Sequence, residues 1–114
     1  MPTNVALTGL AKDLAARAES GKPIRIGLVG AGEMGTDIVS RVAHMRGIEI
    51  GAISELNPVG AAKAVSIAYG DSSRAVKVST SDAANAAMED GKIATTDNVK
   101  VLLESGLIDV VVDA

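Results

Sequence analysis

The segment Ile24 to Gly35, reading IRIGLVGAGEMG, constrains the fold of this chain more than any other stretch. A short apolar run leads directly into Gly30-Ala31-Gly32-Glu33-Met34-Gly35, which fits G-x-G-x-x-G, and Met34 to about Arg46 then reads as an amphipathic helix. Each glycine has its own physical reason in such a loop. Gly30 permits the tight turn off the strand, Gly32 lets the backbone approach a pyrophosphate, and Gly35 lets the helix pack closely on the strand. The N–H groups of the first helical turn then face the phosphates, with the positive end of the helix dipole behind them. The glycine pattern alone is a weak signal. The strand before it and the helix after it make it a dinucleotide-binding fingerprint.

The rest of the chain alternates in the same way. Leu7, Leu10, Leu14 and Ala18 recur at spacings of three and four, which predicts a helix over about 5–20, stopped by Gly21 and Pro23. Ile24 to Val29 reads as the first strand and Ile48 to Ile53 as the second, with Gly47 ending the helix between them. Asn57, Pro58 and Gly60 turn the chain into an alanine-rich helix over about 59–69. Residues 70–80 read as a loop despite the alternation of Val76 and Val78. Ser81 or Asp82 caps a helix ending near Gly91, Ile93 to Thr96 forms a short third strand, and Asn98 to Glu104 a helix stopped by Ser105-Gly106. Ile108 to Val112 reads as a buried final strand. This pattern predicts an α/β fold, a Rossmann-type parallel sheet of order 3-2-1-4 with an extra N-terminal helix. Residues 1–22 form that helical extension and 23–114 the dinucleotide-binding domain, which stops short of a complete enzyme; a catalytic domain is expected beyond it.

Composition excludes other classes. With no Phe or Trp and one Tyr, the core of this 47% hydrophobic chain must be built from Ala, Val, Ile and Leu, as suits a parallel sheet covered by helices. The net charge of −3 and the missing aromatics leave neither an electrostatic footprint nor stacking platforms for nucleic acid. Without cysteine there is no disulfide or thiolate chemistry, and no apolar run approaches a membrane span. A soluble cytoplasmic domain that binds neither nucleic acid nor membrane is expected.

Glu55 stands twenty positions past Gly35 at the end of the second strand, where an acidic residue accepts hydrogen bonds from the adenosine ribose. A carboxylate there favours NADH and repels the extra phosphate of NADPH, and no Arg follows closely to clamp that phosphate. Ser54 is an alternative contact to either group. Within the loop, Glu33 is expected to point to solvent with its backbone N–H facing the ligand, and Met34 to pack under the cofactor. His44, the only histidine, falls in the last turn of the first Rossmann helix, far from the loop, and reads as structural. Asp109 falls near the start of the final strand and also reads as structural. Ala114 follows Asp113 at the carboxyl end of that strand, where its backbone could touch a bound cofactor. No His/Asp/Glu cluster has metal-ligand spacing, and no nucleophile–base pair stands out, so no catalytic or metal-binding residue is assigned.

The segment AKDLAARAESGKPIRIGLVGAGEMGTDIV, with IDVVVDA at the end, resembles the homoserine-dehydrogenase-like oxidoreductases. Within that group it is most similar to the 1-deoxy-D-xylulose 5-phosphate reductoisomerase-like enzymes of isoprenoid precursor synthesis. The resemblance spans nearly the whole chain, including the leading helix, and corresponds to the N-terminal part of such enzymes. It implies NADPH, a divalent metal held by a catalytic domain outside this chain, a phosphorylated small-molecule substrate and a homodimer. Gly30, Gly32 and Gly35 carry over as the pyrophosphate loop. The basic residue that NADPH use implies after the second strand is replaced here by Glu55-Leu56-Asn57. A homoserine or sugar-acid dehydrogenase on the same scaffold, and a dinucleotide-sensing regulatory module, are the alternative readings.

Overall fold

In a computed structural model, which describes residues 10–114, the central element is β1 (Ile24–Val29), whose middle residues Ile26, Gly27 and Leu28 are buried. It pairs in parallel with β2 (Ile48–Ser54) on one side and β5 (Val110–Asp113) on the other. Beyond β2 lie β4 (Ile93–Thr96) and then β3 (Ala75–Lys77), giving a five-stranded, all-parallel sheet of order β3-β4-β2-β1-β5. Among the described residues five helices accompany the strands: α1 (Leu10–Glu19), α2 (Glu33–Val42), α3 (Pro58–Tyr69), α4 (Ser81–Glu89) and α5 (Val99–Glu104).

Alternation along the strands divides the interior into two apolar clusters. Leu28, Ile50, Ile53 and Ile93 join Val39 and Val42 of α2 and Ala61, Ala64 and Val65 of α3. Ala52 and Ala94, the neighbours of Ile53 and Ile93, turn the other way and join Ala84, Ala87 and Met88 of α4 and Val101 and Leu102 of α5. Adjacent strand residues thus feed opposite faces, with the alternation of β2 interrupted at Gly51, where the pairing with β1 shifts by one residue, and each face is covered by its own pair of helices. The expected α/β class and parallel sheet are those found. Small Ala side chains under α3 and α4 let these helices seat closely without aromatic filling.

Several boundaries differ from the sequence reading, each for a physical reason. The sheet order 3-2-1-4 is corrected by an additional strand: Ala75–Lys77, expected as loop, pairs with β4 and occupies the edge. Its polar surroundings reflect that exposed edge position. The four expected strands keep their relative order inside it. Helix α2 ends at Val42, because His44 and Met45 donate to Arg41 and Val42 at 3.2 and 3.0 Å in tight i→i+3 bonds. His44 therefore lies in an exposed turn after the helix. Helix α4 is capped by Thr80, whose hydroxyl accepts the Ala83 N–H at 3.1 Å, and not by Ser81 or Asp82. Strand β5 starts at Val110 and is exposed, not buried: it is an edge among the described residues, with Val110 and Val111 at 48% and 42% exposure. The first turns of the predicted N-terminal helix lie outside the described residues.

Leu28, fully buried at the centre of β1, is the side chain on which this packing converges. Leu28→Ala is expected to lower unfolding stability by about 2–5 kcal/mol, the cost of an unrelaxed core cavity. Leu103→Ala, at 63% exposure on α5, should change it by about 0.5 kcal/mol or less. Urea unfolding midpoints of the two variants against the parent provide the measurement.

Candidate functional site

The carboxyl ends of the parallel strands converge on the glycine loop, and backbone bonds past the strand ends lock them together. The Gly30 N–H donates to the Ser54 carbonyl at 2.8 Å, the Glu55 N–H to Thr96 at 2.8 Å, and the Ala114 N–H to Val29 at 2.9 Å. The three glycines then play separate roles. Gly30 has φ +94°, a left-handed conformation that a side chain would strain, and a Cβ there would meet the Ala114 carbonyl oxygen at 2.9 Å. A Cβ at Gly35 would be driven into the Gly30 carbonyl oxygen, so only a glycine lets α2 approach its own turn this closely. Gly32 is the opposite case: its φ is −71°, and a Cβ there would meet nothing within 4 Å. Sterics within the protein explain Gly30 and Gly35. They leave Gly32 unexplained except by something that approaches from outside.

That outside space lies at the start of α2. Gly32 is the N-cap and supplies no side-chain acceptor. The first intrahelical bond runs from the Thr36 N–H to the Gly32 carbonyl at 2.8 Å, which leaves the N–H groups of Glu33, Met34 and Gly35 in the first turn without intrahelical partners. An open groove of about 580 Å³ begins here, lined by Ala31, Gly32, Glu33, Thr36 and Asp37 on the α2 side and by Asn57, Gly60 and Lys63 among others on the α3 side. Glu33 is exposed, as expected. Met34 is 68% exposed at the same start of α2.

Glu55 reaches back from the end of β2 into this loop. Its Oε2 accepts the Ala31 N–H at 2.5 Å, and its Oε1 accepts the Asn57 N–H at 3.2 Å. The carboxylate therefore bridges the glycine loop and the cap of α3, whose first turn is held by Asn57 accepting from the Val59 N–H at 3.1 Å. Ser54 is buried beside it and contributes its carbonyl to Gly30. Ala114 stands against both Gly30 and Gly35. Gly30, Ala31, Gly32, Glu33, Gly35, Ser54, Glu55 and Ala114 are thus brought to one edge. His44 is not part of it. Asp109 is also elsewhere, before β5, where it accepts the Arg25 N–H at 2.9 Å and lies 3.7 Å from Arg17 on α1.

Sequence reasoning missed Thr96, Asp37 and Lys63. Thr96 could have been found, because it ends a strand whose place in the sheet was foreseen; its carbonyl anchors Glu55 and its Oγ1 accepts the Asn98 N–H at 3.1 Å. Asp37 and Lys63 reach the groove through the packing of α2 beside α3, for which no local motif exists. Among the described residues no three His, Cys, Asp or Glu side chains gather to hold a metal ion. No family model matches the sequence, and no curated protein matches it.

The contrast between two glycines is open to a direct check. Gly35→Ala is expected to destabilise the fold by about 1–3 kcal/mol, as overpacking does, while Gly32→Ala should leave stability within about 0.5 kcal/mol of the parent. Thermal unfolding of both variants, without ligand, distinguishes steric necessity from open space.

Proposed function

We propose that this chain is the nicotinamide-dinucleotide-binding domain of an NAD(P)-dependent oxidoreductase. The observation that carries the reading is Gly32: a side chain is sterically permitted, yet the loop keeps a bare backbone at the uncapped start of a helix. That arrangement suits an anion arriving at the first-turn N–H groups, stabilised by the helix dipole. The pyrophosphate would be held by the backbone of Gly32, Glu33 and Met34, with Glu55 orienting the adenosine ribose. The Glu55 oxygens each accept one N–H, and an ionised carboxylate has lone pairs to spare, so a ribose diol can add to the existing contacts without displacing them. When bound, the nicotinamide supplies hydride; the protein's own part here is to fix the cofactor and exclude alternative orientations.

Charge favours NADH as the ligand. The groove beside the loop carries Glu33 and Asp37 against the single cation Lys63, and Glu55 lies adjacent to it. A 2′-phosphate would meet more like than opposite charge. The resemblance extends the proposal to a larger enzyme that reductively isomerises 1-deoxy-D-xylulose 5-phosphate, with substrate and metal contacts made outside this domain. Its implied NADPH use is the point at which charge and resemblance part.

Gly32→Val should abolish NADH binding and leave the unfolding midpoint unchanged, as read by calorimetry carried to millimolar ligand. Equal affinity in parent and variant would overturn the pyrophosphate assignment. For cofactor choice, Glu55→Arg is expected to move the ratio of NADPH to NADH affinities upward by roughly tenfold or more, since a charge-assisted contact is worth on the order of 1.5–3 kcal/mol. Taking the ratio cancels the loss of loop support that both ligands share. An unchanged ratio would place Glu55 away from the ribose.

A further inference from the structure

The opposite, amino-terminal edge of the sheet carries a second concentration of polar chemistry that the glycine loop does not use. The turn after α3 presents Arg74 just before β3, and the turn after α4 presents Lys92 just before β4. The Ile93 N–H donates to the Arg74 carbonyl at 2.7 Å, so the two cationic residues are held on adjacent segments. The Arg74 guanidinium lies 4.7 Å from the ring centroid of Tyr69, the only aromatic side chain in the protein. That stacking holds the planar fork in place while leaving its N–H groups free to donate. The turn itself is braced by Asp71, which accepts both the N–H and the hydroxyl of Ser73 at 2.8 and 2.5 Å.

Neither Arg74 nor Lys92 has a carboxylate within 4 Å among the described residues, where the ion pairs are Arg17–Asp109 and Arg25–Glu49. Glu49 faces the same region but is engaged by Arg25 at 3.0 Å. Asp71 lies near both Arg74 and Lys92, and Glu89 and Asp90 precede Lys92 in its turn. Around the space between them the two cations Arg74 and Lys92 meet one lining carboxylate, Glu49, in a chain whose net charge is −3. A small cavity of about 60 Å³ lies between these groups, lined by Tyr69, Arg74, Lys92, Glu49, Met88 and Gly91 among others. Tyr69, Arg74 and Glu49 also line an adjoining open cleft of about 440 Å³ whose other walls include Pro23, Val42 and Met45. Burial raises the Tyr69 hydroxyl above its ordinary pKa, with Arg74 opposing and Glu49 reinforcing the shift, so the phenol stays a neutral hydrogen-bond donor at physiological pH.

We propose that Arg74, Lys92 and Tyr69 form a second ligand site, at the sheet edge opposite the glycine loop, for a small phosphate-bearing molecule. The phosphate is held in the small cavity by the guanidinium fork and the lysine ammonium, and the less polar body of the ligand lies in the adjoining cleft against Met45 and Val42. Arg provides the planar, two-pronged recognition that a phosphate accepts, and Lys adds a point charge. This site is independent of the dinucleotide reading, since no residue is shared between them.

Tyr69 is a built-in reporter, because the protein has no Trp and no other Tyr. Titration of the chain with inorganic phosphate at constant ionic strength is expected to give a saturable change in tyrosine emission, whereas acetate gives none. Arg74→Gln and Lys92→Gln should each weaken the phosphate response at least tenfold with unchanged unfolding midpoints. Gly32→Val should leave it intact, which separates this site from the loop. A response that is linear in phosphate, equalled by acetate, or unaltered by both variants would overturn the proposal.

Discussion

The contact on which the rest of the carboxyl edge depends is the approach of α2 to its own turn, where Gly35 sits against the Gly30 carbonyl. With no Cβ at either position the helix can begin almost on top of the strand it follows. Val39 and Val42 then fall onto Leu28 and complete the first apolar cluster. The same approach aims the helix N-terminus past the strand ends, into open space. Packing and binding geometry are here one constraint, because the glycine that tightens the core also orients the free N–H groups.

A second layer of order comes from hydrogen bonds that continue the sheet beyond its strands. Gly30, Glu55 and Ala114 each donate to a neighbouring strand end, so three segments that would otherwise be independent loops keep a common register. Glu55 adds a side-chain tie between the glycine loop and the start of α3. In the absence of ligand its carboxylate already satisfies two backbone donors, which lowers the ordering that a ligand must impose. The residue that sets specificity in the proposed site is also the one that braces it.

Charge is distributed unevenly between the two ends of the sheet. Glu33, Asp37 and Glu55 gather around the glycine loop with Lys63 in the same groove, whereas the small cavity at the amino edge is lined by Arg74 and Lys92 against Glu49. A parallel sheet makes this separation possible, since every strand start lies at one edge and every strand end at the other. Short turns on each side then carry their polar residues to only one of the two edges.

The sequence by itself determined the alternation of strands and helices, the glycine loop between Ile24–Val29 and the following helix, and the acidic residue at the end of β2. These are local patterns: period-two and helical spacings, and a turn that only glycine accommodates. The relative order of the four foreseen strands followed from them by the rules of parallel connection. What only the tertiary structure decided depended on partners distant in the chain. Ala75–Lys77 becomes a strand because β4 offers it an edge, and Met34 is exposed because α2 turns Val39 and Val42 inward instead. Val110 and Val111 look like buried strand residues in one dimension, yet they line an edge among the described residues. Lys63 meets the loop, and Arg74 meets Tyr69 and Lys92, through helix and turn packing that leaves no trace in spacing. Local stereochemistry is written in consecutive residues, whereas a groove or a charged pocket exists only where separate segments are brought together.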